Sequence, residues 1–156
     1  MGEVEQEVME ELYKLIRQFE GLHRLGKDGL VYEYICPAGV RTIGYGTTRF
    51  PKDVHVITKD QAELWMREEA DQCLRAALKL SPCLNKESNK KQAAIADFIY
   101  NLGSGAYKSS TLKKKVDACD WEAAAYQIRK WVWGGGKRLP GLIIRRELEA
   151  RLLLDD

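Results

Sequence analysis

The sequence predicts an α+β fold, because a short stretch of strand patterns lies between one helical pattern and a long helical remainder. Apolar residues at helical spacing predict an amphipathic helix over residues 4–20. Residues 30–35 and 40–45 alternate β-forming side chains around a Cys-Pro-Ala-Gly turn, which is typical of a hairpin. With 156 residues, 45% of them apolar, the chain is long enough for one domain with a hydrophobic core.

The first helix places a carboxylate at its C-terminal end. Gly21 is the predicted stop, so Glu20 occupies the last turn. The helix dipole disfavours negative charge there, and Glu20 is therefore a candidate for a carboxyl group that keeps its proton. The alternative is an ordinary solvated surface glutamate.

The hairpin region contains several glycines with distinct expected roles. A turn is predicted at Gly26–Gly29, and residues 30–35 are expected to pair with residues 40–45 across the Cys36 turn. Gly44 and Gly46 flank an aromatic residue, and glycine inside a strand often marks close approach of backbone or ligand. A plain hairpin with a bulge explains the same pattern.

The rest of the chain is predicted to be helical. Thr58 and Gln61 form a capping box for a helix that runs to about residue 80. Four further helices are predicted: Asn89, Ser110 and Asp120 are the candidate caps of the first three, Pro140 starts the fourth, and the helices end near residues 102, 116, 131 and 154. Trp121 and Trp131 are expected in the core, whereas Trp133, beside the glycines, fits core packing and ligand binding equally well.

Charge and cysteine content exclude some classes of function. The net charge is only +2, with 25 basic and 23 acidic residues, which does not indicate nucleic-acid binding. Four cysteines and two histidines include no C-x-x-C pair, so we expect no metal site and no cofactor. The sequence leaves undecided whether disulfides form, because four cysteines allow three pairings. Cys73 is expected to be a buried free thiol.

The sequence gives no signal for membrane insertion or secretion. No stretch approaches about 18 apolar residues, as a spanning helix requires. The acidic N-terminus lacks the basic start and apolar run of a signal peptide. We therefore expect no membrane insertion and a protein that accumulates in the cytoplasm.

Several sequence blocks, in order, resemble the bacteriophage-type lysozymes, the endolysins that cleave peptidoglycan. The matching blocks are Phe19–Gly21, Thr42–Gly46, Phe98–Gly103, Gly134–Leu142 and Arg145–Arg146, which span nearly the whole chain. Cys36 lies six positions before Thr42, where the family carries an Asp. Glu20 and Cys36 are sixteen positions apart, farther than in the family, so the first hairpin is expected to be enlarged.

The resemblance implies a single lysozyme-like domain with two lobes. A small β-sheet lobe is expected at about 21–57, a connecting helix at about 58–80, and a larger helical lobe at about 81–156 together with the helix at 4–20. The implied activity is hydrolysis of the β-1,4 bond between N-acetylmuramic acid and N-acetylglucosamine in peptidoglycan. A phage or prophage would use it for host cell lysis, as a monomer that a separate membrane-permeabilising protein lets reach the wall.

The resemblance also assigns catalytic roles. Glu20 is expected to protonate the leaving oxygen as general acid. Cys36 is expected to serve as thiolate base or nucleophile, with Thr42 as its orienting partner. We favour this assignment because Cys36 keeps its spacing to Thr42, although Asp28 or Glu33 can instead supply the missing carboxylate.

Other residues and two rival functions complete the expectations. The expected substrate-binding residues are Tyr45, Asn101, Arg145 and Arg146. The first rival is a lytic transglycosylase that uses Glu20 alone and gives 1,6-anhydro products. The second is an inactive peptidoglycan-binding module that kept the fold but lost the catalytic Asp.

Overall fold

A computed structural model describes residues 2–155, without the side chains of Glu3 and Val4. The α-helices are α1 Glu3–Glu20, α2 Lys59–Leu80, α3 Asn89–Leu102, α4 Ser104–Lys108, α5 Thr111–Asp117, α6 Trp121–Ile128 and α7 Pro140–Leu154, and a 3₁₀ helix occupies Pro82–Lys86. The strands are β1 Val31–Tyr32, β2 Tyr34–Ile35, β3 Arg41–Thr42, β4 Val56–Ile57, β5 Trp133–Gly134 and β6 Lys137–Arg138. The strands form small antiparallel pairs beside a mostly helical chain, which confirms the predicted α+β class.

The chain divides into two compact units. The β unit consists of residues 13–69, and the helical unit consists of the residues up to Leu12 and from Ala70 onward. Helices α1 and α2 therefore each contribute residues to both units. The single-domain boundaries expected from the resemblance stay a prediction. None of the helices within residues 2–155 is both long enough and apolar enough to cross a membrane.

In the β unit, the strand predicted over residues 30–35 is wrong, because it divides into two strands at Glu33. Strand β1 pairs with β4, whereas β2 pairs with β3 across the Cys36 turn. The Glu33 N–H donates to the His55 carbonyl oxygen at 3.0 Å, and the Glu33 carboxylate accepts from Arg41. The bond to His55 ties Glu33 to the segment before β4, and the bond to Arg41 ties it to β3, so the segment changes partner strand at Glu33.

The strand predicted over residues 40–45 is also wrong at its end, because it stops at Thr42. Ile43 and Thr47 exchange two backbone hydrogen bonds of 2.9 Å across a tight turn. Gly44 and Gly46 in this turn have φ of +65° and +83°, which only glycine adopts without strain. A Cβ at Gly44 would lie 3.1 Å from the Cβ of Ala62, so the expected close approach is confirmed there.

A small apolar core supports the β unit. Its buried members are Val31, Ile43, Ile57 and Ala62, and the partly buried residues against it are Leu22, Tyr45, Phe50, Val54 and Trp65. Arg17 near the end of α1 forms an ion pair of 2.6 Å with Glu63 on α2. Arg67 binds the same carboxylate at 2.7 Å. These contacts fix the C-terminal part of α1 against α2 within the unit.

Three of the predicted helix caps are confirmed. The capping oxygens and the N–H groups that donate to them are Thr58 with Gln61 at 3.0 Å, Ser110 with Lys113 at 3.0 Å, and Asp120 with Ala123 at 3.2 Å. Pro140 opens α7, as predicted. Each of these signals is local, because the capping side chain lies three residues before the N–H group that it binds.

The predicted cap of α3 is wrong by one residue. Ser88, not Asn89, accepts the Lys91 N–H, at 3.3 Å. The Asn89 side-chain amide instead donates to Glu7 at 3.1 Å, a partner distant in sequence. Ser88 has the extended backbone that an N-cap needs, with ψ of 159°.

The helical unit has its own core, built from the apolar faces of α3, α5, α6 and α7. Helix α6 ends at Ile128, earlier than predicted, and a hairpin of β5 and β6 follows it. Trp131 packs edge-on against Phe98 at 5.4 Å between ring centroids, in agreement with its expected core role. Trp133 is 61% exposed and is therefore not a core residue, and its role in binding stays a prediction.

Candidate active site

The site begins at the C-terminus of α1, which ends at Glu20. The Gly21 N–H donates to the Arg17 carbonyl oxygen at 3.2 Å, and Gly21 has a left-handed φ of +66°. This conformation terminates the helix at low cost only for glycine. The Glu20 side chain is thereby held at the end of a rigid element and is partly buried.

The turn after β3 brings backbone directly against the Glu20 carboxylate. A Cβ at Gly46 would lie only 2.8 Å from Glu20 Oε1. No real Cβ tolerates that distance, so any side chain at Gly46 would displace the carboxylate. Position 46 therefore requires glycine, because only a residue without a Cβ leaves space for the Glu20 carboxylate.

A second turn positions Cys36. The Cys36 N–H donates to the Val40 carbonyl oxygen at 2.9 Å, and the Gly39 N–H donates to the Cys36 carbonyl oxygen at 2.8 Å. The turn residue Gly39 has a φ of +80°. This closed turn leaves the Cys36 thiol partly exposed.

Hydrogen bonds to sulfur favour the thiolate form of Cys36. The backbone hydrogen bond from Val40 lowers the pKa of the Cys36 thiol below its ordinary value. Partial desolvation opposes this change, while hydrogen bonds from the Ala38 backbone and the Thr42 hydroxyl reinforce it. Thr42 is 3% exposed, and its hydroxyl lies 2.9 Å from the Val40 carbonyl oxygen. Cys36 thus has the environment of a reactive thiol rather than of an inert buried one.

Tyr34 links the two candidate catalytic groups. Burial raises the pKa of the Tyr34 hydroxyl, and the charges of Glu20 and Cys36 raise it further against the opposing effect of Arg24. Both acidic groups therefore act on one aromatic side chain. Glu20, Cys36 and Thr42 all belong to the β unit, where they lie at the end of α1, in the Cys36 turn and in β3.

The two alternative carboxylates have structural partners in the enlarged hairpin. Asp28 accepts from the Tyr32 hydroxyl and from the Leu30 N–H, the latter at 3.0 Å, and these bonds lower the pKa of the carboxyl. Glu33 is 2.7 Å from His55 Nδ1 and also binds Arg41. Both carboxylates hold the hairpin together, which favours Cys36 over either of them as the second catalytic group.

Sequence reasoning missed Glu69. Burial raises its pKa to about 7, and the Glu20 carboxylate adds to this rise, while the Thr47 hydroxyl and Arg49 oppose it. A detectable signal was present in α2: Glu69 follows the buried residues Ala62 and Met66 at helical spacing, so it lies on the apolar face. A carboxyl on that face is unusual and marks a candidate functional group.

The other predicted site residues have different surroundings. Tyr45 packs against the small core of the β unit. Asn101 lies near the end of α3 in the helical unit, and Arg146 Nη2 donates to its side-chain oxygen at 2.6 Å. The substrate-binding roles of these residues stay predictions.

The two arginines of α7 belong to a buried ionic network. Arg145 is 3% exposed and binds Asp97 with two hydrogen bonds of 2.9 and 2.8 Å. Arg146 is fully buried and lies 2.8 Å from Glu149. Both guanidinium groups therefore have carboxyl partners within their own unit. Their contact with substrate stays a prediction, and what the structure supports for them is stabilisation of the helical unit.

The pKa values of the two buried carboxyl groups in this network, Asp97 and Glu149, are shifted in opposite directions. Burial raises the pKa of Glu149 well above its ordinary value, and the neighbouring Asp97 carboxylate adds to the rise. Burial opposes ionisation of Asp97 as well, yet hydrogen bonds from Glu149 and Arg145 hold the pKa of Asp97 low. Of the two groups, Glu149 therefore holds a proton more strongly than Asp97.

Comparisons with known proteins identify the family of the chain. The phage lysozyme family matches residues 18–149. An endolysin of Acyrthosiphon pisum secondary endosymbiont phage 1 is 36% identical over 145 residues, covering 88% of this chain and 91% of that protein. A SAR-endolysin of bacteriophage PS119 is 30% identical and covers 83% and 77%. The solved endolysin from Escherichia coli O157:H7 phage FAHEc1 superposes with a TM-score of 0.74 at 27% identity, covering 99% and 94%. The resemblance found in the sequence is confirmed, and the chain belongs to the phage lysozyme family of glycoside hydrolases.

Proposed function

We propose that this chain is an endolysin that hydrolyses the β-1,4 bond between N-acetylmuramic acid and N-acetylglucosamine in bacterial peptidoglycan. The observation that carries the proposal is the Glu20 carboxylate at the end of α1, against which the Gly46 backbone lies, in the same unit as the Cys36 turn. The charges of Glu20 and Cys36 both raise the pKa of the Tyr34 hydroxyl. Glycoside hydrolysis needs two such groups, one to donate a proton and one to activate water or attack the sugar.

Glu20 acts as the general acid in this proposal. It protonates the glycosidic oxygen as the bond to the sugar breaks, so it must hold a proton when substrate binds. Glu20 is the last residue of α1, so its carboxyl group is carried by the end of a rigid helix. Gly46 fixes where the carboxyl group lies.

Cys36 takes the role of the carboxylate that other family members have at this position. Its thiolate accepts a proton from the attacking water, or attacks the sugar itself, on the side opposite Glu20. The thiolate is favoured by the backbone hydrogen bonds of its turn and by Thr42. Thr42 also orients the sulfur, because its backbone is fixed in β3 and its hydroxyl is buried beside the turn.

The experiment that tests the proposal is mass spectrometry of the fragments released from purified peptidoglycan. Fragments with one added water at a muramic acid reducing end support hydrolysis. Anhydro-muramic ends instead indicate a lytic transglycosylase that needs Glu20 alone. Binding to the wall with no release of fragments indicates an inactive wall-binding module.

Three variants assign the roles in the same experiment. Glu20→Gln is expected to abolish release, since glutamine cannot donate the proton. Cys36→Asp is expected to keep most activity, since it restores a carboxylate, whereas Cys36→Ala is expected to lose it. If Cys36→Ala equals wild type, Cys36 has no catalytic role.

The same proposal includes where the protein acts. The chain accumulates as a monomer in the host cytoplasm until a separate membrane-permeabilising protein lets it reach the wall. Expression in a bacterial host is therefore expected to cause lysis only when the inner membrane is permeabilised, for example with chloroform. Lysis without permeabilisation would contradict this mode of release.

A further inference from the structure

Two cysteines of the helical unit converge on one carbonyl oxygen. Cys83 lies in the 3₁₀ helix, and Cys119 lies in the connection between α5 and α6. The Cys83 thiol is 3.4 Å from the Val116 carbonyl oxygen, and the Cys119 N–H donates to the same oxygen at 2.9 Å. The 3₁₀ helix and the α5–α6 connection, which are distant in sequence, therefore approach each other at this oxygen, and each contributes one cysteine.

The two cysteines at this carbonyl oxygen differ in exposure. Cys119 is exposed, and Cys83 is partly buried against the core of the helical unit. Cys119 has a left-handed φ of +56°, which is uncommon for a residue other than glycine. The influence of Cys119 on the pKa of Cys83 agrees with their proximity. The pair thus has one exposed thiol, which solution oxidants can reach, and one sheltered thiol.

We propose that Cys83 and Cys119 form a disulfide bond when the protein enters an oxidising compartment. The bond would connect the 3₁₀ helix after α2 to the α5–α6 connection. It would form without a large rearrangement, because both segments are already fixed at Val116. This inference goes beyond the proposed glycoside hydrolysis and does not depend on it.

The reaction is ordinary thiol–disulfide exchange with a small disulfide such as oxidised glutathione. The Cys119 thiolate attacks one glutathione sulfur, the S–S bond breaks, and the first reduced glutathione leaves. The Cys83 thiolate then attacks Cys119 Sγ in the mixed disulfide and releases the second glutathione. Two protein thiols are oxidised, one glutathione disulfide is reduced, and their two protons leave with the two glutathione thiols.

The order of attack follows from exposure and charge. Burial raises the pKa of Cys83, and Cys119, Asp117 and Glu87 add to the rise. The Cys83 thiol is thus the poorer first nucleophile, and it reacts once the mixed disulfide on Cys119 places an electrophilic sulfur beside it. The sheltered cysteine serves as the resolving thiol.

The expected consequence is a more stable helical unit. The bond closes the loop between residues 83 and 119, which contains α3, α4 and α5, and so restricts the unfolded chain. For a loop of this size in a chain of this length, we expect the Tm to rise by about 5–10 °C. The groups proposed for catalysis lie in the β unit, so the turnover of the folded protein is expected to change little.

The test uses the full chain, equilibrated with defined ratios of oxidised to reduced glutathione. Wild type is expected to lose two of its four titratable thiols, and non-reducing peptide mapping is expected to show the peptides of Cys83 and Cys119 linked. Cys83→Ser and Cys119→Ser are each expected to lose the linkage and the rise in Tm. Cys73→Ser is the matched control, because Cys73 belongs to the same unit, and it is expected to keep both.

Three results would overturn the proposal. The first is retention of all four thiols at ratios that oxidise an ordinary surface dithiol. The second is a different intramolecular pairing in the peptide map. The third is a dimer linked through Cys119, which would show that this exposed thiol reacts with a second chain faster than with Cys83.

Discussion

Replacing Glu69 with glutamine removes an ionisable group from the apolar face of α2 while keeping the size of the side chain. The pKa of Glu69 rises from 4.5 to about 7 in the folded protein, chiefly through burial and secondarily through Glu20. Such a rise corresponds to about 3 kcal/mol of unfolding free energy, at roughly 1.4 kcal/mol for each pKa unit. Partial exposure of the side chain screens its charge, so we expect about 1–3 kcal/mol.

The direction of the effect follows from proton binding. Below pH 4.5 Glu69 is neutral in both the folded and the unfolded chain, and it costs no stability. As the pH rises from 4.5 to about 7, the unfolded chain releases the proton while the folded chain keeps it, so wild type loses stability. Above pH 7 the loss is complete. Glu69→Gln has no such loss and is therefore expected to gain on wild type across this interval.

Urea unfolding of both proteins from pH 4 to pH 8 measures the difference directly. The stability of Glu69→Gln minus that of wild type is expected to increase by about 1–3 kcal/mol between these limits. Glu68→Gln is the matched control, since Glu68 is the exposed neighbour on the same helix. A difference for Glu69→Gln that stays constant with pH would show that Glu69 ionises as freely in the folded chain as in the unfolded one.

Three further outcomes test the site and its support. Gly46→Ala is expected to lower kcat at least tenfold by displacing the Glu20 carboxylate. Gly39→Ala is the control, because Gly39 has a similar φ but open space around its Cβ. It is expected to lose stability and to keep most activity per folded molecule. Asp97→Ala is expected to destabilise the protein by about 3–5 kcal/mol in urea unfolding, because it leaves a buried guanidinium without its carboxylate. Cys36→Asp is expected to extend the activity to lower pH than wild type, since a carboxylate stays ionised where a thiol is protonated; identical acid limbs in the two profiles would argue against a thiolate.

Local signals in the sequence predicted much of this structure, and distant contacts account for the errors. The caps at Thr58, Ser110 and Asp120 were predictable because each binds an N–H group three residues away. The observed cap of α3 is Ser88 rather than the predicted Asn89, because the Asn89 side chain binds Glu7 near the N-terminus. Adjacent residues with equal capping propensity cannot be separated without knowledge of that partner.

The same distinction holds for the candidate site. The match of Glu20 and Thr42 to the family was visible in the sequence, and so was the glycine at position 46. The division of the predicted strand at Glu33 depends on His55 and Arg41, which only the folded chain brings together. The raised pKa of Glu69 likewise arises from burial and from Glu20 on another helix. The size of this rise therefore cannot be predicted from the residues next to Glu69 in the sequence.

The Thr42 hydroxyl has a single hydrogen but two acceptors within reach, the Val40 carbonyl oxygen and the Cys36 sulfur. It can bond only one of them at a time. When Cys36 is ionised the hydrogen is needed at sulfur, and when Cys36 takes up a proton the hydrogen can return to the carbonyl oxygen at the turn. In each catalytic cycle the Thr42 hydroxyl would then break its hydrogen bond to the Val40 carbonyl oxygen, form one to the Cys36 sulfur, and later reverse this change. The Thr42 hydroxyl would therefore donate to the Cys36 sulfur while the sulfur is charged, and to the Val40 carbonyl oxygen of the turn while it is not.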